Sequence, residues 1–417
     1  MKKLLALLLA LAMVACLFAG CAGDTQPSED SKAPASSNDA STNDEPSTDE
    51  PTGETYKIAM ITDYGDITDK SFNQTTYEAC KQFADANGVE FKYYKPTGDS
   101  TAERVASIDQ AVEEGYNLIV MPGYAFGAAI VEAAPQNPEV KFFALDVAKG
   151  DLLETAVANK GEEYNWDPDS YELDKYVDMS NVYCVVYQEE LCGYMAGYAA
   201  VKLGYTKLGF LGGMAVPAVM RYGYGYVQGV DAAAKELNIN VELKYVYGGI
   251  FQGDADITAV MDTWYNGGTE IVFACGGGIF TSAAEAAKKV NAKVIGVDVD
   301  QAGIIDGAYG EGMTVTSAMK GLAPATIDTL TDIVLNGNWD KYVGKIETLG
   351  LVSGDDPTLN YVQIPMESTQ WAEGKFTQED YKALVKAMFD GTVKVSNDIS
   401  AMPTVTNVTL DDQGKIK

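Results

Sequence analysis

The sequence predicts an α/β protein built of two doubly wound, parallel-sheet lobes with a ligand cleft between them. Three observations carry that expectation. Short apolar strands alternate with helix patterns at the spacing of parallel βαβ units. The alternation is interrupted once, over residues 147–180, and then restarts as a second set of similar length. Chemically distinctive residues cluster just after the strands, where open α/β sheets bind their ligands.

The first set begins at Tyr56 with the apolar strand YKIAMIT and the helix pattern FNQTTYEACKQFADANG, which ends in glycine. Strand EFKYYKP, helix STAERVASIDQAVEEG, strand NLIVMPG, helix FGAAIVEAAPQNP and strand KFFALD follow. The stretch 147–180 is acidic and weakly periodic, and is expected to be an inserted surface loop. The second set runs through strand NVYCVVY, helix QEELCGYMAGYAAVKLG, strand KLGFLGG, helix RYGYGYVQGVDAAAKELN, strand VELKYVYG, helix ADITAVMDTWYNGG, strand EIVFACGG, helix IFTSAAEAAKKVN and strand AKVIGVDVD. Strand GMTVTSAMK, helix GLAPATIDTLTDIVLNG, helix TQEDYKALVKAMFDG and a terminal strand VKVS complete the chain. The expected division places residues 55–183 and 304–345 in the first lobe, and 184–303 and 346–417 in the second.

The N-terminus reads differently. MKKLLALLLALAMVA has the charged start and short apolar run of a secretory signal, ending at residue 20. It is too short for a spanning helix of ~20 apolar residues. The stretch LFAGC, Leu17 to Cys21, resembles a bacterial lipobox, so Cys21 is expected to carry a lipid. Cys16, preceded by Met13-Val14-Ala15, fits that pattern less well. Residues 21–54 are rich in Ser, Thr, Asp, Glu and Pro. Such a segment has too little apolar surface to offset its ordering entropy, and is expected to act as a disordered tether.

Composition removes several functions. Sixty acidic residues against thirty basic give a net charge of −30. Nucleic acid demands a basic face, and anionic lipid repels such a chain, which leaves the anchor as its only membrane link. The chain has no histidine, so Ser-His-Asp triads, Cys-His pairs and histidine metal sites are excluded. Cys80, Cys184, Cys192 and Cys275 match no zinc spacing and sit among apolar or small residues. The glycine turns LGGMAVP and CGGGIF fit neither a dinucleotide fingerprint nor a P-loop. An enzyme is not expected, and no cofactor is called for.

The strand-end residues are Asp69 to Asn73, GYAFG (123–127) and Asp146 in the first half. In the second half they are GGMAVP (212–217), GGIFQGD (248–254), GGGIF (276–280) and DVDQ (298–301). These supply acceptors, flat rings and bare backbone without a positive cluster, which suits a neutral polyhydroxylated ligand with a ring to stack on. Asp69 also fits a helix cap near Ser71.

DKSFNQ, LGFLGGM, GGIFQGD, IGVDVDQ and TSAMK, in that order, resemble the basic membrane protein family. Its members are lipid-anchored substrate-binding proteins of ABC importers, similar to bacterial purine nucleoside receptors. The resemblance covers nearly all of residues 56–396; the 147–180 segment is longer than the family pattern. It implies a type I periplasmic-binding-protein-like fold and a monomer held at the extracytoplasmic face of the cell membrane. It implies a nucleoside ligand, purine favoured, and an ABC permease as partner. By motif position Asp69, Asn73 and Asp146 would come from the first lobe, Asp298 from the second, and Lys320 from a strand returning to the first. Phe251 would stack on the base from the second lobe, opposite Phe72 or Tyr77, with Tyr77 preferred because it lies one helical turn from Asn73. Gly277 would let backbone approach the base or sugar. Rival readings keep the fold and change the ligand to a sugar, an autoinducer or a riboflavin-type molecule, or make the protein a sensor.

Overall fold

The computed structural model describes residues 55–417. The signal segment, Cys21 and the tether lie outside the described residues. The first set of elements is β1 (Lys57–Ile61), α1 (Phe72–Asn87), β2 (Glu90–Tyr94), α2 (Thr101–Glu113), β3 (Leu118–Pro122), α3 (Phe126–Ala133), β4 (Lys141–Leu145), α4 (Lys149–Asn159) and β5 (Val182–Tyr187). The second is α5 (Glu189–Leu203), β6 (Lys207–Gly212), α6 (Pro217–Leu237), β7 (Val241–Tyr247), α7 (Ala255–Asn266), β8 (Ile271–Cys275), α8 (Phe280–Val290), β9 (Lys293–Asp298), α9 (Ala302–Tyr309) and β10 (Thr314–Lys320). The chain closes with α10 (Leu322–Leu330), β11 (Ile346–Leu349), β12 (Val362–Gln363), α11 (Gln378–Phe389) and β13 (Val408–Lys415).

Two sheets result. One has the order β11-β5-β4-β3-β1-β2, the other β12-β10-β9-β8-β6-β7-β13. All pairings are parallel except β10 with β12. The central strands are apolar throughout because helices cover both faces: every residue of β3 and β8 is buried. The two doubly wound lobes expected from the alternation are present.

Four expectations are corrected. Strand β10 does not return to the first lobe; it pairs with β9, so Lys320 belongs to the second sheet. Strand β5 lies wholly in the first sheet, which moves the boundary from 183 to Tyr187, and β11, expected in the second lobe, pairs with β5 in the first. The 147–180 stretch is not a plain loop: α4 buries Leu152, Leu153, Ala156 and Val157, a helical spacing that the surrounding charge obscures. No strand forms at 393–396; the terminal strand is β13, which pairs with β7.

Three chain crossings join the lobes. After β5 the chain enters α5, which packs on α6 of the second lobe; after β10 it enters α10, which packs on α1 of the first. The third runs from β11 to β12. The crossings bond to one another: Gln188 N donates to Leu349 O at 2.9 Å, Gly321 N to Tyr361 O at 2.6 Å, and Tyr361 N to Gly350 O at 3.0 Å. A Cβ on Gly350 would stand 1.6 Å from Gln188 Oε1, so a larger residue there would have to displace the Gln188 side chain. Bundled crossings of this kind are where a hinge between lobes would lie.

Candidate functional site

The strand ends of both sheets meet at a cavity of about 300 Å³, at the lower end of the range for small-molecule sites. Of the residues singled out from the sequence, Asp69, Phe72, Asn73, Asp146, Phe251, Gly277, Asp298 and Lys320 line it. Tyr77 does not. It lies one turn along α1 from Asn73 and packs against Phe91 and Tyr93 of β2, ring centroids 5.8 and 5.7 Å away. Of these two candidates Phe72 is therefore the ring in the cavity, where Tyr64 and Tyr124 of the first lobe also stand. Asp300 stands outside, where its Oδ1 accepts Ala302 N at 3.1 Å.

Three polar groups succeed one another around the cavity. The first is on the first lobe. Asp69 accepts N–H bonds from Ser71, Asn73 and Gln74 at 2.9–3.1 Å and so caps α1, whose own N-cap Ser71 makes no side-chain cap. Asn73 Nδ2 donates to Asp69 and to Asp63, at 3.0 and 3.2 Å, while its buried Oδ1 is unpaired. Burial pushes the Asp63 carboxyl up to about 6, against the N–H of Gly65 and the Asn73 amide. Beside it the Tyr64 and Tyr124 rings stack, with the Arg104 guanidinium 4.7 Å from the Tyr64 ring centre.

The second group lies where the lobes touch. Asp298 ends β9 at φ 64° and Asp146 follows β4 at φ 60°, both left-handed. Aspartate tolerates that region better than most residues, and such strained positions concentrate at functional sites. Lys320 at the end of β10 bonds Asp146 and stands 3.5 Å from Glu189 and 3.8 Å from Asp298. Burial would depress the lysine, but Asp146, Asp298 and Glu189 outweigh it and hold its pKa above the ordinary value. Burial raises Asp298, opposed by Lys320 and by the Ser71 hydroxyl, which donates across the cleft to Oδ2 at 2.6 Å. Tyr222 OH donates to Oδ1 at 3.3 Å.

The third group sits beyond Glu189. Arg221 Nε donates to Glu189 Oε2 at 2.6 Å. Glycines bring these two helices together: a Cβ on Gly193 would meet Tyr222 O at 2.2 Å, and one on Gly225 would meet Glu190 O at 2.1 Å. Asp151, from α4, faces Arg221 across the cavity.

The apolar walls come from both lobes. Lys320 Nζ is 4.8 Å from the centre of the Phe72 ring. Phe251 lies on bare backbone: a Cβ on Gly213 would meet its Cδ1 at 2.5 Å. Gly277, at φ 55°, adds further uncovered backbone. The sequence reading missed Asp63, Arg221, Glu189 and Asp151. Asp63 follows β1 directly, so the strand-end rule would have found it. The others stand on helix N-termini, which the rule does not flag.

Residues 56–355 match the family described as ABC transporter substrate-binding protein PnrA-like. Among curated relatives, the ABC transporter nucleoside-binding protein BmpA of Lactococcus lactis is 28% identical over 259 residues, which cover 59% of this chain and 64% of that protein. The chain thus spans just under two thirds of that relative. A CD4+ T-cell-stimulating antigen of Listeria innocua is 26% identical over 347 residues, 79% of this chain and 84% of its own length. A solute-binding protein of an ABC transporter system from Aeropyrum pernix shares the fold at TM-score 0.58 and 22% identity, covering 82% of this chain and 88% of that one. Another, from Conexibacter woesei, does so at TM-score 0.57 and 20% identity, covering 82% and 99%. With three hundred residues matched in the order the sheets require, the chain belongs to the PnrA-like family of ABC transporter substrate-binding proteins.

Proposed function

We propose that this protein is a lipid-anchored, extracytoplasmic receptor that captures a nucleoside, purine favoured, and delivers it to the permease of an ABC importer. The observation that carries this reading is the composition of the cavity. Phe72 from one lobe and Phe251 from the other wall it, and Asp146, Lys320 and Asp298 stand where those lobes touch. A base between two rings gains stacking on the order of 1–3 kcal/mol by analogy with other base–aromatic contacts. Vicinal ribose hydroxyls suit carboxylates, because charged acceptors make the stronger hydrogen bonds.

In this reading the base lies toward Asp63 and Asn73, and the ribose toward Asp298, Asp146 and Lys320. Asp69 acts mainly by holding Asn73 and the start of α1. Gly277 leaves room for the ligand to approach backbone. The nucleoside-binding name of the Lactococcus lactis relative supports the ligand class. Cys21 holds the protein to the membrane; among the described residues no helix is long and apolar enough to cross one. The protein works as a monomer without a cofactor, and its net charge of −30 keeps it off nucleic acid and anionic lipid.

The test is direct. Purified protein is denatured, and whatever it releases is identified by mass spectrometry; refolded protein is then titrated calorimetrically with adenosine, guanosine, inosine, cytidine and uridine. The reading expects a nucleoside in the released fraction and tighter binding of the purines. Release of a sugar, together with no heat from any nucleoside, overturns it.

A further inference from the structure

Two of the cavity's three polar groups are used by the base and the ribose; the third is not. Arg221 spends only Nε on the protein, giving it to Glu189 at 2.6 Å. Among the described residues its two terminal nitrogens have no hydrogen-bond partner, and the side chain lines the cavity. Asp151 is arranged in the same way. Its Oδ2 accepts Ala148 N at 2.7 Å, and its Oδ1 has no protein partner among the described residues. A guanidinium edge and a carboxylate oxygen therefore face one space, a donor on one side and an acceptor on the other.

The position of this space follows from the ion pairs. Lys320 stands 3.5 Å from Glu189 Oε1 and Arg221 Nε donates to Glu189 Oε2 at 2.6 Å, so Arg221 and Asp151 adjoin the lysine group through one shared carboxylate. Asp63 has Arg104 and Asp69 as its charged neighbours, whereas Asp151 has Arg221 and Asp146. With the base at Asp63 and the ribose at Lys320, the 5′ end is the part of the ligand left over, and Asp151 and Arg221 are the polar pair of the cavity left for it.

We propose that Asp151 and Arg221 form a subsite that reads the 5′-hydroxyl of the bound nucleoside and rejects a 5′-phosphate. This rests on the nucleoside reading above. A hydroxyl is the small neutral group that donates and accepts at once: its hydrogen goes to Asp151 Oδ1, and its oxygen takes a hydrogen from Arg221. A phosphate meets the wrong charge. Asp146 and Asp151 line the space and Glu189 and Glu190 stand close to Arg221, while the two cations that line it, Arg221 and Lys320, are already paired with carboxylates. Burial pushes Asp151 and Glu190 up to about 7, the response of carboxylates short of counter-charge in a dry site.

The test compares adenosine with 5′-deoxyadenosine, and inosine with 5′-deoxyinosine, by calorimetric titration of the full protein. A hydrogen bond to a charged group predicts that wild type favours each nucleoside over its 5′-deoxy analogue by about 10- to 100-fold. That ratio should fall to within about threefold in Asp151→Ala, and the near-isosteric Asp151→Asn gives a folded comparison with an intermediate ratio. Adenosine 5′-monophosphate should bind more weakly than adenosine. A wild-type ratio within about threefold overturns the subsite while leaving the nucleoside reading intact. So does a ratio unchanged in both variants, and tighter binding of the monophosphate makes it an anion site instead. Silence from every nucleoside overturns the ligand class and the subsite together.

Discussion

Replacing Asp298 by alanine removes three things at once, and they can be separated. The first is the ligand's acceptor. Truncating one partner of a buried, charged hydrogen bond costs about 2–5 kcal/mol of binding, or roughly 30-fold to several thousand-fold in affinity. The second is local stability. Asp298 is only 6% exposed and receives Ser71 Oγ at 2.6 Å and Tyr222 OH at 3.3 Å. Orphaning buried donors costs about 1–3 kcal/mol each, and a left-handed alanine at φ 64° about 1 kcal/mol more. The third is closure, since the Ser71 bond crosses the cleft.

Four variants resolve these contributions. Asp298→Asn tolerates the left-handed backbone and keeps one acceptor, so it should lose less than alanine. Ser71→Ala breaks the bond across the cleft but leaves the carboxylate, and should weaken binding by no more than about tenfold. Asp300→Ala, whose carboxylate only caps α9, should bind as wild type. Calorimetric titration with the tightest-binding purine nucleoside gives the affinities, and thermal melts establish that each variant is folded. The wild type should also prefer ribo- over 2′-deoxynucleosides. If Asp298→Ala is folded and binds within about threefold of wild type, the carboxylate does not hold the ribose.

The remaining expectations follow from the same geometry. Phe72→Ala should weaken nucleoside binding by on the order of 1–3 kcal/mol and Tyr77→Ala should not; equal losses in titration would deny Phe72 its place. Saturating nucleoside should reduce the radius of gyration in small-angle scattering if the hinge at Gln188, Gly321 and Gly350 closes on ligand, and an unchanged radius would count against closure. Cys21→Ser should move the protein from the membrane fraction to the soluble fraction of the exported material; a mutant that stays with membranes is held by something else. Asp63 is held up at about 6, and Asp151 and Glu190 at about 7, against 3.8 for a free aspartate and 4.5 for a free glutamate. Raised carboxyls lend stability that is complete below pH ~4 and lost as pH rises through 6 to 7. The melting temperature should therefore fall between pH 5 and pH 8, and Asp151→Asn should flatten that fall; a parallel profile in the variant would refute the assignment.

Alternation of strand and helix was legible because each parallel strand is apolar on both faces and each helix on one. Sheet membership was not. The sequence of β10 is that of a buried strand, and nothing in its periodicity distinguishes pairing with β9 from a return to the first sheet. Strand β13 escaped notice because VTLDDQGK is an edge strand with mostly exposed side chains, so no apolar alternation marks it. Helix α4 was hidden by its composition, with only Leu152, Leu153, Ala156 and Val157 turned inward. At the site, the strand-end rule reached most of the lining residues. The helical-turn argument for Tyr77 failed because one turn along α1 from Asn73 leads away from the cavity toward β2. The strand-end rule missed Arg221 and Asp151 because helices deliver them, and their positions depend on how α5, α6 and α4 pack.

The two sheets repeat one plan, and the repeat explains why a single lysine can govern the site. The orders β5-β4-β3-β1-β2 and β10-β9-β8-β6-β7 correspond strand for strand. Asp146 after β4 and Asp298 at the end of β9 occupy equivalent places with the same left-handed backbone. The place of Lys320 at the end of β10 is taken in the first sheet by Tyr187 at the end of β5, whose ring centre lies 5.5 Å from the lysine nitrogen. One cation thus serves a carboxylate from each lobe. Lys320 precedes the Gly321 crossing and stays with the second sheet, so opening the hinge would draw it away from Asp146 while Asp298 moved with it. Each partner would then need water in place of the lost bond, and desolvating them again on closing is costly unless the ligand's hydroxyls supply hydrogen bonds in return. On this argument the sugar is both the group recognised and the group that makes closure favourable, and a base alone, which leaves the buried Asp146 Oδ1 without a hydrogen-bond partner, would be a poor ligand.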